Sequence, residues 1–227
     1  MTGSFVSPET RQRIRGWAVP VAVAMGRLGL TPNALTVIGF AGTTVAAIAA
    51  ATQQWLLAGI LVLAFGIFDL FDGALARATG RATKFGAFLD STLDRTGESL
   101  VVAGVAVGCA GADFIAGVAL AGIAATFASG VTYTRAKAEA LGLHGEVGFA
   151  PRPERLAILA AGLVLADVLG GVGRGEPASE LFIQVDPVWL TGTYALMVSL
   201  GLIAILSAVT VLQRIVHVKR QLESTDQ

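Results

Sequence analysis

The sequence predicts an all-α fold: a six-span transmembrane helical bundle preceded by an N-terminal interfacial amphipathic helix. Three observations support it. The 227 residues are 54% apolar and only 14% charged, with a mean hydropathy of +0.71. A soluble domain of that composition leaves too much apolar surface in water, whereas a bilayer solvates it. The apolar residues also come in long runs. Leu28 to Phe68 carries no charge, suffices for two crossings, and is divided by the polar break Thr52-Gln53-Gln54. Finally, with six crossings and a cytoplasmic N-terminus, 15 of the 16 Lys and Arg residues fall in cytoplasmic segments, and only Arg174 lies outside. This predicts a multi-pass protein of the plasma (inner) membrane with both termini in the cytoplasm.

The elements follow in order. Residues 1–30 form a juxtamembrane segment in which Arg11, Arg13 and Arg15 alternate with Ile14, Trp17, Val19 and Val21. Such a segment lies along the interface, with Trp17 at its boundary and the arginines either meeting headgroups or only enforcing topology. Pro20 is expected to interrupt any long helix there. No cleavable signal peptide is read at this end, because Pro8 to Arg15 is polar. Thr31-Pro32-Asn33 reads as a helix start, with Thr31 at the cap and Pro32 in the first turn. Spans are predicted at 33–51, 55–76, 86–109, 113–136, 156–173 and 188–213, with Gly170 to Pro187 as an external connector. Gly104 and Gly108 form a GxxxG pattern, which permits close helix contact inside the chain or across a homodimer. Cys109 stands alone, so no intrachain disulfide forms. The net charge is zero and by itself implies nothing about nucleic acid; the basic residues are organised by the membrane, and no nucleic-acid partner is expected.

The chemistry sits at the cytoplasmic ends of the second and third spans. Asp69, Asp72, Gly73, Ala76 and Arg77 fall in the pattern DxxDGxxAR, and Gly86, Asp90 and Asp94 follow after eight residues as GxxxDxxxD. Asp69 and Asp72 are three apart and Asp90 and Asp94 four apart, so each pair shares a helix face, about 4.5 and 6 Å apart along the axis. Four carboxylates crowded near a bilayer repel one another strongly unless cations compensate them. One or two divalent ions supply that compensation. An all-oxygen set suits Mg²⁺ or Mn²⁺ and argues against zinc, since neither His144 nor Cys109 accompanies it. Gly73, Ala76 and Gly86 leave a bare surface where a ligand approaches the backbone, and Arg77 adds a fork suited to a diphosphate. Pairing of the acids with Arg77, Arg81, Lys84 and Arg95 to seal the helix ends does not account for that bare surface.

These residues at this spacing resemble the signature of the CDP-alcohol phosphotransferase family, six-span membrane enzymes that act on CDP-linked lipids. The resemblance implies that Asp69, Asp72, Asp90 and Asp94 bind metal, two ions in all, and that Asp94 also takes the proton of the incoming alcohol. The alkoxide then attacks the β-phosphorus of CDP-diacylglycerol and CMP leaves. It further implies that Gly73, Arg77 and Thr83 line the CDP-lipid pocket together with the turn Pro32-Asn33-Ala34-Leu35. The whole chain, 1–227, reads as one such membrane domain with its signature at 69–94.

The partners implied are CDP-diacylglycerol, membrane lipids and an alcohol acceptor. Arg135, Lys137, Arg152 and Arg155 lie on the cytoplasmic side with the aspartates, and Arg214 at the end of the last span can join them. Such a cluster suits a phosphorylated polyol, although inside-positive loops also place basic residues here. The segment Tyr133 to Glu139 and the turn Arg152 to Arg155 resemble those of bacterial and archaeal members that use inositol phosphate. Pro151 departs from that pattern, standing where an acid is expected. Glycerol 3-phosphate is the alternative acceptor, since the same charges hold it. An ion-coupled transporter is the alternative of another class, but its site lies near the midplane between repeated halves. Here the acids gather at one face, and residues 113–227 do not repeat the motif.

Overall fold

The computed structural model describes residues 8–145, 147–149, 151–173 and 189–225. Seven helices account for nearly all of these: α1 Pro8–Arg27, α2 Pro32–Ala51, α3 Trp55–Ala78, α4 Lys84–Gly111, α5 Ile115–Ala140, α6 Arg152–Val168 and α7 Trp189–Thr225. There is no strand among the described residues. The protein is a helical membrane bundle. The helices α2, α3 and α5 and the stretch Gly192–Ser224 of α7 are long and apolar enough to cross a bilayer. That count is four rather than the expected six, for two physical reasons. The first half of α4 carries Asp90, Asp94, Arg95 and Glu98, and α6 has only 17 residues.

Each helix start and stop has a local cause. Thr31 caps α2 as expected, its hydroxyl accepting from Ala34 N at 3.2 Å with Pro32 in the first turn. Thr83 does the same for α4, accepting from Gly86 N at 2.9 Å. The helix α6 stops at Val168, short of the expected 173, because Gly170 and Gly171 take positive φ. At the other extreme, α7 runs on to Thr225, well past residue 213. The sequence predicts that Pro20 interrupts the N-terminal helix, yet α1, 20 residues in all, runs through it to Arg27. That helix packs along α3, where Ala18 and Ala22 are buried against Leu35, Phe71, Ala74 and Leu75. Trp17 stays 63% exposed beside the Phe71 ring. Arg174 and most of the external connector lie outside the described residues.

The main core is built from small residues. Ala46 and Ala50 of α2, Ala58 of α3, Val101 and Val105 of α4 and Ala121 and Ala124 of α5 pack with Leu159 and Leu163 of α6 and Leu196 and Leu200 of α7. Small residues let helix backbones approach closely, which is how membrane helices gain packing without a hydrophobic drive between them. The GxxxG pattern works this way inside the chain. A Cβ on Gly104 or Gly108 would run into the backbone of α2 at Ala47 or Ala50. Larger apolar side chains such as Val45, Ile48, Ile60, Ile123, Ile205 and Leu212 point outward, as lipid-facing positions do. In this packing α2 sits between α3 and α4, and α6 sits between α3 and α7. The start of α2, the end of α3 and the starts of α4 and α6 therefore converge at one end of the bundle.

Candidate active site

Four helix ends build the site. The first turns of α2 supply Pro32, Asn33 and Thr36, the last turns of α3 supply Asp69 to Arg77, and α4 with its cap Thr83 supplies the stretch from Thr83 to Glu98. The first turn of α6 adds Arg152 and Arg155. The spacing within each helix puts its aspartates on one face, and the turn from Thr79 to Thr83, with Gly80 at φ +66°, brings the two pairs together. Asp94 lies within electrostatic reach of Asp69, Asp72 and Asp90.

The four carboxylates divide into two sides. Asp72 and Asp90 help to wall a cavity of about 210 Å³ that also holds Pro32, Asn33, Gly73, Ala76, Arg77, Thr83 and Gly86. Seven of the nine residues expected to bind the CDP-lipid thus share one space. The exceptions are Ala34, whose N–H caps onto Thr31, and Leu35, which is 1% exposed and packs on Phe71 and Leu75. Both belong to the helix start and its packing rather than to the pocket wall. A Cβ on Gly73 would stand 3.2 Å from Arg77 Nη1, and one on Gly86 would stand 3.1 Å from Asn33 Oδ1 and Thr83 Oγ1. Glycine at both positions keeps the cavity open and lets the Arg77 fork fold over the helix.

On the other side, a guanidinium joins the remaining two acids. Arg152 Nη1 contacts Asp69 Oδ2 at 2.6 Å and Asp94 Oδ2 at 2.7 Å. Its Nε is buried with no hydrogen-bond partner among the described residues. The other basic residues expected to hold an acceptor phosphate do not gather around Arg152. Arg155 is buried at 1% exposure, with Nε and Nη2 on the two carboxylate oxygens of Glu98 at 2.7 Å each. Arg135 pairs with Glu139 one turn along α5. Lys137 and Arg214 line a separate cleft of about 390 Å³ with Tyr133, and Arg214 donates to the backbone oxygens of Val147 and Val131. A cluster legible as one group in the sequence is therefore spread over several places, because Arg155 and Arg214 also tie helices together.

The donor set fits a hard divalent cation in chemistry: every candidate ligand is a carboxylate oxygen, and a positive charge already lies between two of them. As the side chains stand, no group of three ligating residues among those described is drawn in around one point. Two partners went unread in the sequence. Thr36 donates from Oγ1 to Asp72 Oδ2 at 2.7 Å, and Glu98 takes the Arg155 fork. Thr36 was detectable in principle, since it lies four residues after Pro32 on the same face of α2.

The family model for CDP-alcohol phosphatidyltransferase matches residues 29–212. The chain belongs to that family. As a whole it is 37% identical, over 92% of its length and 97% of the relative's, to phosphatidylinositol phosphate synthase of Cutibacterium acnes. It is 33% identical, over 97% of its length and 98% of the relative's, to archaetidylinositol phosphate synthase of Pyrococcus horikoshii. Among solved structures, phosphatidylinositol phosphate synthase of Mycobacterium tuberculosis with CDP-DAG bound superimposes with a TM-score of 0.72 at 32% identity, covering 88% of this chain and 92% of that one. The same enzyme in complex with manganese and citrate gives a TM-score of 0.71 at 31% identity, covering 88% of each chain. The carboxylate cluster of this CDP-alcohol phosphatidyltransferase thus has two sides: one opens onto a walled cavity, and the other carries an arginine.

Proposed function

We propose that the protein transfers the phosphatidyl group of CDP-diacylglycerol to inositol phosphate and releases CMP. The observation that carries the reading is the two-sided carboxylate cluster, with Arg77 and two glycines at the cavity and Arg152 between Asp69 and Asp94. The choice of inositol phosphate rests on the relatives of C. acnes and P. horikoshii, which match along nearly their whole lengths. The chain acts as one membrane domain, with α4 and α6 completing six crossings and the site at the cytoplasmic face of the plasma membrane, as the distribution of basic residues favours.

The chain's own residues divide the work. Gly73 and Gly86 let the diphosphate approach the backbone, and the Arg77 guanidinium offers it paired N–H donors. Asp69, Asp72, Asp90 and Asp94 are the residues that would hold divalent ions, Mg²⁺ or Mn²⁺. When bound, such ions neutralise the diphosphate and stabilise the phosphate of the departing CMP. Thr36 fixes one carboxylate, Asp72, by its hydrogen bond. Arg152 presents a cation on the acceptor's side, where it can exchange a carboxylate for the acceptor's phosphate. Asp94, beside it, takes the proton of the acceptor hydroxyl. The acceptor oxygen bonds to the β-phosphorus as the bond from that phosphorus to CMP breaks, and the proton stays on Asp94 until water removes it.

Purified protein with labelled CDP-diacylglycerol and Mn²⁺ tests this directly. CMP and phosphatidylinositol phosphate should form with inositol phosphate and not with free inositol or serine. Product from glycerol 3-phosphate alone would replace the acceptor while keeping the chemistry.

A further inference from the structure

Glu98 lies one turn beyond Asp94 on α4, and Asp90, Asp94 and Glu98 recur at steps of four, so three carboxylates line one helix face. On α6, Arg152 and Arg155 are three apart and share a face in the same way. The two faces meet in two rungs. In one, Arg152 Nη1 reaches Asp94 Oδ2 at 2.7 Å, with the two side chains 19% and 23% exposed. In the other, Arg155 meets Glu98 through both carboxylate oxygens, with the side chains 1% and 10% exposed.

The second rung is built for orientation. A guanidinium fork on a planar carboxylate fixes direction as well as distance. Stability alone does not account for it, since apolar replacements of similar volume are often as stable as a buried ion pair. Its position supplies the reason. Arg155 belongs to the first turn of α6, three residues after Arg152, so whatever holds Arg155 also places Arg152. Arg152 does not hold itself: a single nitrogen makes both carboxylate contacts, and its buried Nε has no partner among the described residues.

We propose that Glu98 is a positioning residue for the transfer reaction, gripping Arg155 so that α6 presents the Arg152 guanidinium to Asp69 and Asp94. The inference rests on the transfer reading above and adds to it a residue that need not touch either substrate. Loosening the grip has two consequences. The acceptor phosphate meets a misplaced cation, and Asp69 and Asp94 lose the guanidinium that competes with a divalent ion for their oxygens.

The double variant Glu98→Leu, Arg155→Met removes the grip while keeping apolar volume between α4 and α6. It should unfold near the wild-type temperature and show an acceptor KM raised about tenfold with the CDP-lipid KM unchanged. Its Mn²⁺ affinity, read by electron paramagnetic resonance without either substrate, should rise severalfold. The single variant Glu98→Gln, which keeps the shape and one acceptor oxygen, should move both readouts in the same directions and serves if the double variant does not fold. Acceptor KM and Mn²⁺ affinity both within about twofold of wild type in a folded variant would overturn the proposal. The Mn²⁺ measurement needs no acceptor. If wild type makes no product from inositol phosphate while the Mn²⁺ shift appears, the acceptor reading fails and the positioning role stands.

Discussion

The Thr36 hydroxyl donates to Asp72 Oδ2 at 2.7 Å, joining the first turns of α2 to the end of α3 across a sequence separation of 36 residues. Both side chains are buried, so the bond holds one carboxylate in a fixed pose at the wall of the cavity. A hydrogen bond to a charged group contributes about 1.5 to 3 kcal/mol. Thr36→Val should therefore lower kcat by about tenfold or more and raise the Mn²⁺ concentration needed for half activity, while Thr36→Ser stays near wild type. Equal activity of the Val and wild-type proteins across a Mn²⁺ titration would remove Thr36 from the site.

Asp94 carries the proton transfer in the proposed reaction. Asp94→Asn keeps the shape and loses the base, so CMP release should fall by at least about a hundredfold while CDP-lipid binding changes far less. Binding measured with a labelled CDP-lipid in the variant separates the two effects.

Removal of divalent ions tests the carboxylate cluster as a whole. Excess chelator should abolish CMP release, and Mg²⁺ or Mn²⁺ should restore it. Undiminished turnover in chelator would leave the four aspartates without the role proposed for them.

At Gly86 the expected effect is steric. A Cβ there would already stand 3.1 Å from Asn33 Oδ1 and Thr83 Oγ1, and valine adds two further methyl groups into a cavity of about 210 Å³. Gly86→Val should raise the CDP-lipid KM by about tenfold or more and leave the acceptor KM nearly unchanged. A rise confined to the acceptor would assign the cavity to the wrong substrate.

Arg155→Ala is a stability experiment before it is a kinetic one. Removing one partner of a buried pair leaves the other charge uncompensated, at a cost of about 3 to 5 kcal/mol. The variant should melt well below wild type, whereas Arg152→Gln, at a half-buried and more accessible position, should keep the fold and raise the acceptor KM. Thermal unfolding of the two purified variants side by side decides between these roles.

The helices, the membrane character and the aspartate pairs were legible in the linear sequence because each is a local property. Apolar runs define the long helices, and spacings of three and four put Asp69 with Asp72 and Asp90 with Asp94 whatever the rest of the chain does. The same locality made Thr31 and Pro32 readable as the start of α2. Seven pocket residues were legible too, because they belong to helix ends that one short turn joins or that α2 lays alongside. Ala34 and Leu35 were not distinguishable from their neighbours Pro32 and Asn33, since which face of a first turn meets the pocket depends on the partner helix.

The partners of the arginines were decided only by packing. Arg152 lies 83 residues from Asp69 and Arg155 lies 57 from Glu98, and no spacing rule connects positions so far apart. The positive-inside rule assigns 15 of the 16 basic residues to one side of the membrane without sorting them. The sorting came when α6 packed against α3 and brought its first turn within reach of α4. That contact sent one guanidinium to Asp69 and Asp94, and buried the other against Glu98, because in a crowded low-dielectric helix junction each charge must find its own counter-charge.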